Sequence, residues 1–190
     1  DGEQRRVRLS LKLSADVGLL GLPNAGKSTL LAAITKARPK IAAYPFTTLE
    51  PMLGIAEGPG EVTVVVADIP GLIEGAHEGK GLGDRFLKHI ERTRLLLHLV
   101  DCGDLAGAEP AAAWRTIRRE VEGYSSELAA RPSIVVATKV EDETARARAA
   151  ALATAIDLPV LPISSATGRG LRELLSAVTS VLSGVLQQRQ

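Results

Sequence analysis

The sequence predicts an α/β protein: a mostly parallel six-stranded sheet with helices on both faces. Three observations carry that prediction. Short apolar runs alternate with longer amphipathic segments, the pattern of strands joined by helical crossovers. Three of the runs, Val62 to Val66, Leu95 to Val100 and Ile134 to Ala137, are almost wholly apolar, as central strands buried on both faces must be. Finally, the run Val17-Gly18-Leu19-Leu20 leads directly into Gly21-Leu22-Pro23-Asn24-Ala25-Gly26-Lys27-Ser28, which fits G-x-x-x-x-G-K-[ST] at every fixed position.

Composition sets the frame for these elements. A chain of 190 residues with 45% apolar and 24% charged content buries one substantial core, so one domain is expected. A net charge of +1 argues against a strongly basic nucleic-acid-binding surface. Cys102 is the only cysteine, which excludes an internal disulfide framework and fits a reducing, cytoplasmic setting. No apolar stretch approaches a membrane span and nothing reads as a signal peptide, so no membrane partner is expected. The chain opens at Asp1 and has its only methionine at Met52, and it is therefore read as a segment of something longer. Residues 1–14 read as a strand and linker left from an upstream domain, 15–186 as the folded domain, and 187–190 as a tail.

In chain order, Val7, Leu9, Leu11 and Leu13 alternate with polar neighbours, a strand with one wet face. The strand Val17 to Leu20 follows, then a helix from Lys27 to about Ala37, closed by Pro39. A polar loop through Pro45 leads to a strand near Met52 to Ala56, and Gly58-Pro59-Gly60 turns the chain back into Val62 to Val66. Helices are expected at about Gly83 to Thr93, Ala111 to Ala130, Glu143 to Ala155 and Gly170 to Leu186. The strands Leu95 to Val100 and Ile134 to Ala137 lie between them. Leu158 to Ile163, which contains Pro159 and Pro162, reads as an edge strand. On the segment Ala111 to Ala130, Trp114, Ile117, Val121, Tyr124 and Leu128 recur at spacings of three and four. So short a stripe suits packing against the sheet better than the alternative, a coiled-coil seam. Arg115, Arg118 and Arg119 form a solvated face with no ligand assigned.

The chemistry concentrates in three places. Gly21 and Gly26 let the backbone wrap a phosphate chain, so that its N–H groups and the following helix N-terminus point at the anion. The segment Gly21, Leu22, Pro23, Asn24, Ala25, Gly26, Lys27, Ser28 and Thr29 is thus a candidate nucleotide-binding loop. Within it Lys27 neutralises the β- and γ-phosphates, and the Ser28 hydroxyl is a ligand for a bridging Mg²⁺. Asp68-Ile69-Pro70-Gly71 follows the buried strand Val62 to Val66, where Asp68 can hold the metal through a water and the Gly71 amide can meet the γ-phosphate. Between them, Tyr44-Pro45-Phe46-Thr47-Thr48 offers a second hydroxyl for the metal; a plain turn around a buried aromatic is the alternative.

GLPNAGKS, YPFTT, DIPGLIEGA and GKGLGDRFLKHIERTRLLLHLVD together resemble the GTPase domain of the Obg family of ribosome-associated bacterial GTPases, over about Leu11 to Leu182. The resemblance implies a Ras-like P-loop fold with switch regions at about Pro39 to Glu50 and Gly71 to Arg85. It implies Mg²⁺ held by Ser28, Thr48 and Asp68, with GTP and GDP as ligands and Phe46 and Thr47 beside the nucleotide. By the same resemblance Ser164-Ser165-Ala166 is the last nucleotide-binding loop, near the guanine base. Such a domain acts as a switch in large ribosomal subunit assembly or stress-linked regulation. It reaches the ribosome through domains absent from this chain, and the isolated domain is expected to be monomeric.

Departures from the Ras-like pattern sharpen these expectations. The guanine-selecting Asn-Lys-x-Asp element is represented by Thr138-Lys139-Val140-Glu141-Asp142. Thr138 can tether the phosphate loop by one hydroxyl, and Glu141, or Asp142 if the loop shifts, is the acceptor for the base. Relaxed or adenine specificity is the alternative reading of these changes. The water-orienting glutamine is replaced by Leu72, which predicts slow hydrolysis; a sensor that hydrolyses negligibly without a partner is the corresponding alternative. Catalysis then rests on Lys27, Asn24, Thr48 and Gly71, with Asn24 a candidate ligand for K⁺. Alternatively, Asn24 only tolerates the loop's backbone geometry. Glu74 and His77 read as solvated loop residues, and His89 and His98 as structural.

Overall fold

The computed structural model describes residues 15–36, 40–41, 52–68 and 93–187. In chain order these form β1 (Val17–Leu20), α1 (Lys27–Ile34), β2 (Lys40–Ile41), β3 (Met52–Glu57), a 3₁₀ turn (Pro59–Glu61) and β4 (Thr63–Asp68). There follow β5 (Leu95–Asp101), α2 (Pro110–Tyr124), α3 (Ser126–Ala129), β6 (Ser133–Thr138), α4 (Glu143–Ile156), β7 (Val160–Pro162) and α5 (Leu171–Gln187).

The strands make one sheet in the order β2-β3-β4-β1-β5-β6-β7. Val17 pairs with Val66 on one side and Leu95 on the other, so β1 is central, and β4, β1, β5, β6 and β7 run parallel. β3 returns antiparallel to β4 with Ala56 opposite Val64, and β2 continues that edge. The six predicted strands are therefore present. The two residues of β2, too few to show any periodicity, add a seventh.

Helices cover both faces, as a mostly parallel sheet requires. On one face Leu30 and Leu31 of α1 and Leu174 and Val178 of α5 pack on Val17, Leu19, Leu97 and Leu99. On the other, Ile117, Val121 and Leu128 pack on Leu20 and Leu96, while Ala145, Ala149 and Leu152 of α4 meet Val100 and Val135. The stripe on α2 is thus a sheet-packing face.

Element ends depart from the sequence reading for local reasons. α1 stops at Ile34, short of the expected Ala37, where Thr35 leaves the helix to bridge Ala56. The expected single helix from Ala111 to Ala130 is two, because Ser125 is extended and its hydroxyl accepts from the Leu128 N–H at 3.2 Å, starting a new helix. Glu109 caps α2, its two carboxylate oxygens accepting from Ala111 and Ala112. The edge strand is only Val160–Pro162, shorter than expected. The strand read at Val7 to Leu13 and the helix read at about Gly83 to Thr93, except for Thr93 itself, lie outside the described residues.

Candidate functional site

Strand order decides where the chemistry gathers. The chain passes from β1 to one side of the sheet, through β3 and β4, and then to the other side at β5, making β1 the switch point. The carboxyl ends of β4, β1, β5 and β6 therefore assemble Asp68, the Gly21–Gly26 loop, Asp101 and the Thr138-Lys139 pair.

The loop after β1 has the shape its glycines anticipate. A Cβ on Gly21 would lie 2.8 Å from the Leu99 carbonyl oxygen, so no larger residue fits beside β5. Asn24 (φ 64) and Gly26 (φ 89) are both left-handed. Asparagine's tolerance of that geometry is one sufficient reason for its presence. Gly26 caps α1 without a side-chain hydrogen bond, so the N-cap residue leaves the first-turn N–H groups, the donors an anion needs, uncovered. Lys27 folds back across the loop, its Nζ donating to Gly21 O at 3.0 Å and Leu22 O at 3.2 Å. Pro23, Asn24, Ser28 and Thr29 are exposed, while Ala25 is buried.

At the end of the loop beside β4, the Ser28 hydroxyl donates to Asp68 Oδ2 at 3.0 Å. Asp68 is buried, and its Oδ1 has no hydrogen-bond partner among the described residues. Burial pushes its carboxyl above the ordinary range, opposed by the Ser28 hydrogen bond and the Lys27 charge. A buried carboxylate oxygen without a donor, next to a hydroxyl oxygen, is a hard donor set that fits Mg²⁺. Among the described residues no group of three or more His, Cys, Asp or Glu side chains gathers. That accords with a metal held largely by phosphate and water, as Mg²⁺ commonly is.

At the opposite end of the loop, the buried Thr138 hydroxyl lies 2.8 Å from Ala25 O and 3.2 Å from Val100 O, tethering the phosphate loop to β6. Lys139 is left-handed at φ 57, and its ammonium pairs with Asp101. Glu141 Oε1 accepts from the Ser164 hydroxyl at 3.2 Å. Ser164 is fully buried, and its hydroxyl also accepts from the Thr167 N–H. The two loops are tied by Val140 N–H donating to Ile163 O. Ser165 is half-buried and Ala166 exposed in the same turn. Asp142, the alternative acceptor, is engaged elsewhere: it caps α4 by accepting from Ala145 N–H at 2.7 Å.

The described residues thus bring together Lys27, Ser28 and Asp68 at one end and Thr138, Lys139, Glu141 and Ser164 at the other. Phe46, Thr47, Thr48, Ile69, Pro70, Gly71, Leu72, Glu74, His77 and His89 lie outside the described residues. His98 is buried, stacked on Trp114 at 5.9 Å between ring centroids and an angle of 20°. Sequence reasoning passed over Asp101, although its signal was the one that marked Asp68: a carboxylate ending an apolar strand. A cleft of about 330 Å³ beside the loop is lined by Pro23, Asn24, Asp101, Leu105 and Lys139 among others.

Comparison with known proteins places the chain in a family. The family described as 50S ribosome-binding GTPase matches residues 16–139. The chain is 57% identical over 180 residues to GTPase Obg of Solibacter usitatus, covering 93% of this chain and 53% of that protein. It is 51% identical over 192 residues to GTPase Obg of Syntrophotalea carbinolica, covering 100% of this chain and 54% of that protein. The chain spans about half the length of these curated relatives. Among solved structures, the G domain of the Thermotoga maritima FeoB iron transporter superposes with a TM-score of 0.63 at 23% identity, covering 92% of this chain and 99% of that one. Nucleolar GTP-binding protein 1 of Plasmodium falciparum gives a TM-score of 0.66 at 14% identity, covering 95% and 92%. At such identities these two support the fold alone.

Proposed function

Because the chain belongs to the family of 50S ribosome-binding GTPases, we propose that it is an Mg²⁺-dependent GTP-binding switch with slow hydrolysis of GTP to GDP and phosphate. Its place of work is the cytoplasm, in large ribosomal subunit assembly, with the ribosome engaged through segments outside this chain and the isolated domain monomeric. The supporting relatives are named GTPase Obg. The observation that carries the reading is the Ser28–Asp68 hydrogen bond beside a helix N-terminus whose cap, Gly26, brings no side chain of its own.

The residues divide the work by position. Backbone N–H groups of Asn24 to Thr29 receive the phosphates, and Lys27, poised on the Gly21 and Leu22 carbonyls, exchanges those contacts for the β- and γ-phosphate oxygens. Ser28 and Asp68, with Thr48, would hold Mg²⁺, which when bound neutralises charge between the β- and γ-phosphates. Thr48 and the Gly71 amide sense the γ-phosphate, so that its loss releases their segments. The Leu72 side chain has no polar atom with which to orient water, so turnover is expected to be slow. Asn24 would hold K⁺ beside the phosphates as an auxiliary charge.

Base selection falls to Glu141, held by Ser164. The Thr138 hydroxyl is engaged with backbone carbonyls, so a single carboxylate reads the base. The test is competition of GDP and ADP in Mg²⁺ buffer against one fluorescent guanine nucleotide, followed by turnover in K⁺ and in Na⁺. A GDP preference of roughly a hundredfold or more supports the reading. Equal affinities would replace it with a P-loop enzyme of relaxed specificity. Equal turnover in K⁺ and Na⁺ would remove Asn24 from the mechanism.

A further inference from the structure

We propose that Asp101 is a positioning residue for the nucleotide base, acting through Lys139, with Gly103 as the surface on which the lysine is laid. The inference rests on the reading above that this end of the sheet binds a purine nucleotide.

Three constraints converge on Lys139. Its backbone is left-handed at φ 57, a conformation that a lysine holds only when its surroundings impose it. Hydrogen bonds on either side supply that imposition: Cys102 N–H donates to Thr138 O at 3.1 Å, Val140 N–H to Ile163 O at 3.0 Å, and Glu141 N–H to Lys139 O at 3.1 Å. The ammonium is then taken by Asp101 Oδ2 at 2.5 Å, while Asp101 Oδ1 accepts from Gly103 N–H at 2.9 Å. The stem between those fixed ends lies against Gly103: a Cβ there would sit 3.2 Å from both Lys139 Cβ and Asp101 Oδ1, and 3.5 Å from Lys139 Cδ. A side chain at 103 would press on both partners, which would have to give by a few tenths of an ångström.

The pair is anchored at its carboxylate end. Asp101 is the last residue of β5, directly opposite Thr138 in the register of β5 and β6, and its side chain is only 17% exposed, against 42% for Lys139, so the carboxylate is the anchored partner. Arg148 of α4 secures the same loop from behind, donating to Gly103 O at 2.7 Å and pairing with Asp104 at 3.2 Å. Lys139 stands between Thr138, which holds the phosphate loop, and Glu141, which is held by Ser164. A free lysine there would have to be ordered at each binding event, at a cost in rotamer freedom; one already clamped presents its methylenes as a fixed apolar wall. Its positive charge is neutralised by Asp101, so the wall carries no preference for the hydrogen-bonding edge of the base.

The experiment is a double-mutant cycle on the whole chain in Mg²⁺ buffer, measuring GDP and IDP affinities for wild type, D101N, K139M and D101N/K139M, with D101E as the conservative rescue. D101N is expected to weaken GDP roughly fivefold, the equivalent of one well-ordered ion pair. K139M is expected to do the same, the double variant to be no worse than K139M, and D101E to recover part of the loss. The ratio of GDP to IDP affinity should stay at the wild-type value in D101N, since Glu141 reads the edge. Additive losses in the double variant, an unchanged GDP affinity in D101N, or a ratio that shifts with the affinity would each overturn the proposal. If wild type binds ADP as well as GDP, the guanine reading fails while the same cycle, run on ADP, still decides the role of Asp101; if wild type binds neither, both fall.

Discussion

The Ser28 hydroxyl donates to Asp68 Oδ2 at 3.0 Å, joining the first turn of α1 to the last residue of β4 through the two groups proposed to hold Mg²⁺. Removing either should uncouple nucleotide affinity from the metal. Ser28→Ala is expected to lower the ratio of GDP affinity in Mg²⁺ to that in EDTA by at least roughly tenfold. Asp68→Asn should do the same while raising the thermal midpoint of the nucleotide-free domain, because it removes a buried charge whose Oδ1 has no partner among the described residues. A Ser28→Ala protein with an unchanged ratio would take Ser28 out of the metal site.

Thr138 stabilises the phosphate loop from behind. Thr138→Val keeps the shape of the side chain but leaves the Ala25 and Val100 carbonyls without its hydroxyl, at a cost of about 1–2 kcal/mol by urea denaturation. Thr138→Ser should hold most of that stability. Equal losses in the two variants would mean that the methyl group, not the hydroxyl, matters.

Glu141 and Asp142 are adjacent, yet the structure gives them different partners, Ser164 and the Ala145 N–H. Glu141→Gln, or Ser164→Ala beside it, should reduce the preference for GDP over ADP by at least roughly tenfold. Asp142→Ala should cost about 1 kcal/mol of stability through the lost α4 cap and leave that preference alone. Opposite results would mean that the loop moves by one residue when nucleotide binds.

His98 makes stability depend on pH. Burial, and secondarily the Arg118 charge, lower its pKa from 6.5 to about 4. The unfolded chain therefore binds more protons than the folded one between those values. The contribution of neutral His98 is complete above about pH 6.5 and is lost as pH falls toward 4. The expected loss is about 2 kcal/mol between pH 7 and pH 5, at 1.36 kcal/mol per pH unit over the titrating range. Urea midpoints at the two pH values measure it, and His98→Phe, which keeps a ring against Trp114, should flatten the difference.

The phosphate loop was legible because its information is local: two glycines, a lysine and a serine at fixed spacing behind an apolar run state a backbone shape and a charge. The central strands were legible for a similar reason, since burial on both faces leaves an apolar run that no surface element shows. The helix break at Ser125 was hidden because the apolar stripe from Trp114 to Leu128 continues across it; only the hydroxyl's choice of the Leu128 N–H ends one helix and starts the next. The two-residue β2 left no periodic trace.

The base end divides the same way. Thr138, Glu141 and Ser164 are marked by their places in short motifs, but adjacency left Asp142 as an alternative to Glu141 should the loop shift by one residue. The fold separates them, giving Glu141 to a serine 23 positions away and Asp142 to its own helix. Asp101 and Lys139, 38 positions apart, meet because β5 and β6 are neighbours in the sheet. Spacing along the chain fixes what a loop or strand is, because backbone geometry and burial repeat over a few residues. Which side chains then face one another depends on strand order and register, set by packing of the whole core.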